Sequence, residues 1–260
     1  MKKALTFISA ALIMGTVLTG CGSAKENNTV HSADDLEGKT IGTQLGTTGY
    51  IFAGDIKDAK VEPYNKGADA IQALKQGKVD AVIIDSEPAK VFVDKNDDLQ
   101  ILSDPFAVEE YSIAYKKGND ELGKKLDEAL EDLKSDGTLD DIVNNWIGDS
   151  EETKSYEDNN DDVSAGTLIM ATNAEFPPYE SMDHNEIVGI DVDMMHAICD
   201  KLNMELKVEN MEFDSIIAAV DSGKADVGVA GISVTPEREK NVSFTSGYAT
   251  TTQVIITRKD

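Results

Sequence analysis

Two stretches of the chain, residues 70–85 and 216–231, repeat one another. In each, apolar residues at helical spacing lead to Gly-Lys (Gly77-Lys78 and Gly223-Lys224), then to an aspartate (Asp80 and Asp226), then to an apolar run ending at Asp85 or Gly231. Three- and four-residue spacing predicts a helix, the glycine its left-handed stop, and the short apolar run a strand covered on both faces. A buried strand entered from a helix belongs in a parallel sheet, and open α/β sheets take ligands beyond the carboxyl ends of their strands. Asp85 and Gly231 are therefore expected as equivalent strand ends facing one crevice between two lobes.

At 260 residues the chain accommodates one large or two modest domains, and the repeat favours two. The formal charge of −25, from 49 acidic against 24 basic residues, argues against nucleic acid or an anionic membrane surface as a partner, because both need basic patches. Part of that charge is local: residues 149–162 are densely acidic without apolar periodicity and read as a solvated linker. Lys2-Lys3, the apolar stretch 4–18 and Leu18-Thr-Gly-Cys21 form the three parts of an export signal, too short for a spanning helix. A Leu-x-Gly-Cys ending resembles a bacterial lipobox, which implies cleavage before Cys21 and its lipidation, followed by a polar tether. The other cysteine, Cys199, lies on an apolar helical face and reads as a packed thiol.

The coarse pattern from residue 39 is strand (40–43), helix after Gly46-Thr-Thr-Gly49, strand near Val61, helix (68–76), strand (79–84), helix (87–94) and strand (99–102). A strand at 111–115 and helices at 120–135 and 139–146 follow. Beyond the linker a second series runs strand 168–172, helix 191–202, strand 205–208, helix 214–222, strand 226–230, a short helix opening at Pro236 and a strand at 251–257.

The expected crevice gathers complementary chemistry. Ser233 or Thr235 caps the helix predicted at Pro236, whose free amides and dipole favour an anion. Arg238, one turn on, can fork onto a carboxylate. In the other lobe the Thr47 and Thr48 amides supply a second anion-facing set, and Asp85 offers a negative charge. An anion clamp beside a cation acceptor describes an α-amino acid. Blander readings stand beside this one: a plain helix start with a surface arginine, Asp85 as the cap of the helix at 87–94, and a plain turn at Gly46. Pro177-Pro178 holds Phe176 or Tyr179 toward the crevice, with the other ring in the core, and Phe213 is a second wall or a core residue. Histidines 31, 184 and 196 are scattered, with no metal spacing and no nucleophilic triad, so neither cofactor nor metal is expected.

These residues resemble the polar amino-acid solute-binding proteins of ABC importers, with the two-lobed α/β type II periplasmic-binding-protein fold. The motifs that carry the resemblance are Ala171-Thr-Asn-Ala-Glu-Phe-Pro-Pro-Tyr-Glu180, Val188-Gly-Ile-Asp-Val-Asp193, Ala230-Gly-Ile-Ser-Val-Thr-Pro-Glu-Arg238, Phe244-Thr-Ser-Gly-Tyr248, Leu36-Glu-Gly-Lys-Thr-Ile-Gly42, Leu45-Gly-Thr-Thr48, Asp80-Ala-Val-Ile-Ile-Asp85 and Asp136-Gly-Thr138. The resemblance implies that Arg238 with the Ser233 and Thr48 amides holds the α-carboxylate of a ligand. Asp85, the Gly231 carbonyl and the Ser233 hydroxyl would take its α-ammonium, Phe176 and Phe213 would sandwich the side chain, and Asn173 and Gln44 would read its far end. Neutral Asn173 and Gln44 suit an amide, while Glu175 and Asp191 favour a cation through their field, so the side chain expected is cationic or amide.

The order of segments departs from that family, whose members begin where this chain reaches residue 166 and end where it reaches residue 148. The chain resembles a circular permutant: signal peptide 1–20, tether 21–33, second lobe 34–104, hinge and terminal helices of the first lobe 105–148, acidic linker 149–165, main first lobe 166–250 and hinge strand 251–260. About 17 linker residues span at most roughly 55 Å, enough to join ends on one lobe. The partners expected are a free polar amino acid, an ABC permease and a lipid anchor on the outer face of the cytoplasmic membrane. A monomer with a looser hinge is expected over a lobe-exchanged dimer. The other readings are a dehydratase-like enzyme on the same fold and a ligand sensor or non-transport remnant.

Overall fold

The computed structural model describes residues 28–103, 107–148, 153–158 and 162–260. The export signal, Cys21 and most of the tether lie outside the described residues, as do linker residues 149–152 and 159–161 and residues 104–106 where the second lobe meets the expected hinge.

After a single 3-10 turn (Ala33–Leu36), the elements are β1 (Thr40–Gln44), α1 (Thr48–Asp55), β2 (Lys60–Tyr64), α2 (Gly67–Lys75), β3 (Ala81–Asp85), α3 (Ser86–Asp94) and β4 (Leu99–Ile101). There follow β5 (Ala107–Lys116), α4 (Asp120–Asp136), α5 (Thr138–Ile147), β6 (Thr167–Thr172), β7 (Glu175–Phe176), β8 (Glu180–Asp183) and β9 (Glu186–Val188). The chain continues through α6 (Ile190–Leu202), β10 (Glu205–Asn210), a second 3-10 turn (Phe213–Ser215), α7 (Ile216–Ser222), β11 (Val227–Gly228), a third 3-10 turn (Arg238–Lys240) and β12 (Val242–Arg258).

The sequence repeat is also a repeat of hydrogen bonds. After α2, Gly77 N donates to Leu74 O (3.0 Å) and Lys78 N to Ala73 O (2.9 Å); after α7, Gly223 N donates to Val220 O (3.0 Å) and Lys224 N to Ala219 O (2.9 Å). Each repeat aspartate then clips its strand to a parallel neighbour. Asp80 N donates to Thr40 O (2.7 Å) and Asp80 Oδ2 accepts from Thr40 N (2.8 Å). Asp226 N donates to Ile169 O (2.9 Å) and Asp226 Oδ2 accepts from Ile169 N (2.8 Å). The side chain thus supplies the acceptor at the strand start, where the parallel ladder has not yet begun.

One curled sheet runs β10-β6-β11-β5-β12-β3-β1-β2, with β4 also on β12. Its two ends are parallel (β1 with β2 and β3; β6 with β10 and β11), and the two centre strands are antiparallel to what they touch. β12 pairs with β5 from Val242 to Gln253, with β3 from Gln253 to Ile256 and with β4 from Ile256 to Arg258, so it serves both lobes. Apolar clusters fill each lobe: Leu36, Ile41, Ile83 and Ile255 in one, Ile216, Val220, Ile232 and Val242 in the other. A larger cluster continues between them, from Ile71 and Leu74 to Leu130 and Ile198.

Three expectations are corrected. The strand at 251–257 is part of a 17-residue strand, with register shifts between Phe244 and Ala249. The strand at 226–230 pairs only over Val227–Gly228. The helix at Pro236 is one 3-10 turn, Arg238–Lys240, because β12 opens at Val242 and leaves no chain for a second turn. The linker is also less free than its composition suggests. Asn145 and Lys154 exchange two hydrogen bonds (2.8 and 3.2 Å), Tyr156 Oη donates to Asp200 Oδ2 (3.0 Å), and Asp158 meets His196 Nδ1 (2.7 Å). Tyr156 gives this acidic run an apolar ring that packs on the core. Cys199 is buried without a disulfide, and burial pushes its thiol up to about 12, which leaves it unreactive.

The repeat clip makes a symmetric prediction. Asp80→Ala and Asp226→Ala should each lower stability by about 1–3 kcal/mol, the cost of an amide left without its carboxylate. Lying in different lobes, the two losses should add in the double variant, measured as shifts of the urea midpoint.

Candidate functional site

The carboxyl ends of the parallel strands from both halves of the sheet meet across a narrow gap. From one side, the end of β1 supplies Gln44, the start of α1 supplies Thr48, and the last residue of β3 is Asp85. From the other, Asn173 follows β6, Phe176 ends β7, Gly231 follows β11, and Phe213 and Arg238 sit on the second and third 3-10 turns. All of these line one cavity of about 10 Å³, the space of roughly one water molecule. Ser233 does not line it: it forms an isolated bridge with Tyr111 and faces a neighbouring groove beside Thr48 and Val108.

Several bonds cross the gap. Gln44 Nε2 donates to Asn173 Oδ1 (2.8 Å), Arg238 Nη2 donates to Gly46 O (3.0 Å), and Lys66 pairs with Glu175 (2.5 Å). Arg238 Nη1 donates to Ser233 O (2.6 Å), and its guanidinium lies 5.4 Å from the centre of the Phe213 ring. Two of its N–H groups are thus used by backbone carbonyls, and the fork keeps others for an anion. The anion-favouring dipole expected at Pro236 is absent, because a three-residue turn carries almost none; the arginine side chain is the positive feature of this lobe. Thr235 caps that turn through Oγ1, which accepts from Arg238 N (3.2 Å).

Asp85 is the N-cap residue of α3 by position, but its side chain caps nothing. Its Oδ1 instead accepts from Tyr111 Oη at 2.5 Å. Burial pushes its carboxyl up to about 7, the Tyr111 bond opposes that, and the nearby Glu109 charge adds to it. Burial lowers the Arg238 pKa, with Glu109 and Asp85 acting in the opposite direction. A buried acid and a buried guanidinium therefore stand in one small cavity, each only partly compensated by protein.

Gly231 has a left-handed backbone (φ +55°), and a Cβ there would come within 2.8 Å of the Phe176 ring. Glycine is required for the ring to reach the cavity wall. Phe176 stacks on Tyr179 (6.0 Å), and Tyr179 is buried in the core behind it. Asp191, expected to act on a ligand through its field, is fully buried behind that wall: its Oδ2 accepts from Gly231 N (2.8 Å) and Tyr248 Oη (2.9 Å). Glu175 is taken up by Lys66.

The sequence reading did not include Glu109, Tyr111 or Gln253. Glu109 Oε2 accepts from Thr48 Oγ1 (2.8 Å) and Gln253 Nε2 (2.7 Å), tying both long strands to the start of α1. The signal was the two-residue period through Ala107, Glu109 and Tyr111, which places them on one face of β5. Among the described residues no group of three or more His, Cys, Asp or Glu is arranged for a metal, and no helix is long and apolar enough to cross a membrane.

The family of bacterial extracellular solute-binding proteins, family 3, matches residues 54–149 and 168–260. The chain belongs to this family, which binds solutes rather than transforming them. It is 39% identical over 93 residues to the arginine-binding extracellular protein ArtP of Bacillus subtilis, covering 36% of each chain. It is 39% identical over 98 residues to ABC transporter arginine-binding protein 1 of Escherichia coli (37% of this chain, 40% of the relative). With the L-cystine-binding protein TcyJ of Escherichia coli it shares 33% over 122 residues, 46% of each. The chain thus spans between about a third and a half of the length of these curated relatives. Among solved structures, an ancestral arginine-binding protein bound to arginine is 45% identical over 29% of this chain and 34% of that one, with a TM-score of 0.29.

Tyr111 is the direct control on Asp85. Tyr111→Phe removes a bond that favours the carboxylate, so the Asp85 titration should move above 7, read by carboxyl-carbon NMR of the protein alone.

Proposed function

We propose that the chain is an extracellular substrate-binding protein that captures a polar L-amino acid between its two lobes and delivers it to an ABC importer. The observation that carries this reading is the convergence of Arg238 and Asp85 on one cavity walled by Phe176 and Phe213. A zwitterion is the small molecule that compensates both buried charges at once. Arg238 and the Thr48 amide would take the α-carboxylate, helped by the Ser233 amide once the lobes move apart and re-close. Asp85 and the Gly231 carbonyl, with the Ser233 hydroxyl, would take the α-ammonium.

The side chain would lie between the Phe rings with Gln44 and Asn173 at its far end. With Glu175 held by Lys66 and Asp191 turned into the lobe, recognition there rests on the two amides. Their carbonyl oxygens can accept from a guanidinium or ammonium, and their paired donors and acceptors also suit a side-chain amide. Both classes are represented in relatives named for binding arginine, histidine and glutamine.

The order of segments is read as a circular permutation. Asn28 Nδ2 lies 3.5 Å from Thr257 Oγ1, beside the far end of β12, and the linker lies against α5 and α6 on its way to β6. The pairing of β5 with β12 inside one chain supports a monomer. Cys21 would carry the lipid that holds the protein at the outer face of the cytoplasmic membrane.

Titration calorimetry with arginine, lysine, histidine, glutamine and cystine tests the reading. One of them should give saturable heat without turnover, and silence toward all would refute it. For the amino acid that binds, Asp85→Asn should weaken affinity about 100-fold, the worth of a buried charge-assisted pair. Below about 7 Asp85 holds a proton and cannot take an ammonium, so wild-type affinity should rise between pH 6 and pH 8.

A further inference from the structure

Behind the Gly231 wall lies a second pair of acids that the site does not use directly. Glu180 and Asp191 are both fully buried, on β8 and in the first turn of α6. They are brought together by Gly189, whose φ of +143° and missing Cβ let the chain pass against Tyr179 O, which a side chain would approach to 2.1 Å. Ile190 N and Asp191 N then donate to Pro178 O (3.1 Å) and Tyr179 O (3.0 Å), locking the start of α6 onto the turn that carries Phe176.

The two acids are treated differently by the protein. Asp191 Oδ2 accepts from Gly231 N and Tyr248 Oη, and the α6 dipole adds to that stabilisation of a carboxylate. Neither Glu180 oxygen, nor Asp191 Oδ1, meets an N–H or O–H donor of the protein. The groups facing the pair are Asp85 of β3, Tyr179 beside Glu180, and Tyr248 of β12, with Tyr111 of β5 in ring contact with both tyrosines. Among the described residues no lysine or arginine pairs with either acid. The one donor able to satisfy the facing oxygens is a carboxyl proton.

We infer that Glu180 is a positioning residue of the binding site: it stays protonated, donates that proton to Asp191, and thereby holds the carboxylate that fixes the Gly231 backbone against Phe176. Burial and the Asp191 charge both raise the Glu180 pKa well above the usual carboxylate range, whereas burial alone raises Asp191, to about 6, against three hydrogen bonds. The titration belongs to the pair, with the proton on the side that has no other donor. Its consequence for affinity rests on the amino-acid reading of the cavity; the proton itself does not.

Two measurements separate those claims. Infrared difference spectra of the ligand-free protein should show a protonated carboxylic acid at pH 7.5 that vanishes in Glu180→Gln; an ionised Glu180 at that pH overturns the inference. The same protein is then titrated with arginine, lysine, histidine, glutamine and cystine. Glu180→Ala, which leaves Asp191 Oδ1 without a donor, should weaken whichever binds by at least tenfold, and Glu180→Gln, whose amide N–H₂ replaces the proton, should restore it. Affinity should fall more steeply with rising pH in the wild type than in Glu180→Gln, where only the ligand's own α-ammonium loses its proton. Loss of affinity in Glu180→Gln equal to that in Glu180→Ala, or an unchanged pH profile, overturns the role. If the carboxylic acid signal is present and none of the five amino acids binds, the proton stands and the ligand reading fails.

Discussion

The two long antiparallel strands, β5 and β12, connect everything else in this protein. Each parallel half-sheet ends against one of them: β11 meets β5, and β3 meets β12. Because β12 continues across from β5 to β3 and β4, the two lobes share one hydrogen-bonded ladder instead of being joined by loose chain. The ladder places the two half-sheets on either side of the gap, and the strand ends that carry Asp85 and Gly231 face each other across it. The same two strands contribute Glu109, Tyr111 and Gln253, so the groups that adjust Asp85 and Thr48 come from the connecting structure itself.

The site is unusual in how much ionisable chemistry it buries. Asp85, Glu180 and Asp191 are all below a tenth exposed, with Arg238 near the same level, and three tyrosines fill the space between the acids. A buried charge is tolerated only with hydrogen bonds or a partner of opposite sign. Asp191 has the Gly231 amide and the Tyr248 hydroxyl, Asp85 has one tyrosine, and Glu180 has neither. This grading, from satisfied to unsatisfied, separates an acid that shapes the wall from one that is left for a ligand cation. It also explains why a net charge of −25 says little about the cavity: the exposed acids outnumber these by far, and salt screens them within roughly 8 Å.

The alternation of helices and strands was legible because its signals are local: the Gly-Lys stops after α2 and α7, the apolar runs of β3 and β6, and the left-handed glycine between α4 and α5. The failures came where tertiary contacts overrode the local pattern. Gly247 and the shifts around it divide β12 into pieces that look like separate motifs, yet pairing to β5 carries the strand through. Pro236 signals a helix, but Ile232 and Ser233 are already tied to β5 and the next strand starts six residues later, so only one turn forms. The acidic linker read as solvated because composition does not reveal that Tyr156 docks on the lobe.

By itself the sequence determined the repeated helix-stop-strand unit, the strand end that carries Asp85, the segments just after the strands that carry Asn173 and Gly231, the turn that carries Arg238, and the motifs shared with the family, since each depends on residues within a turn or two of one another. The tertiary structure alone decided which charges those residues keep. Asp191 looked like a source of field at the site until its partners, Gly231 and Tyr248, were seen to come from segments distant in the chain. Glu180 looked like the end of a loop motif until the close passage at Gly189 placed it beside Asp191 with no other donor in reach. Desolvation is a property of everything packed around a group, and no spacing along the chain records it.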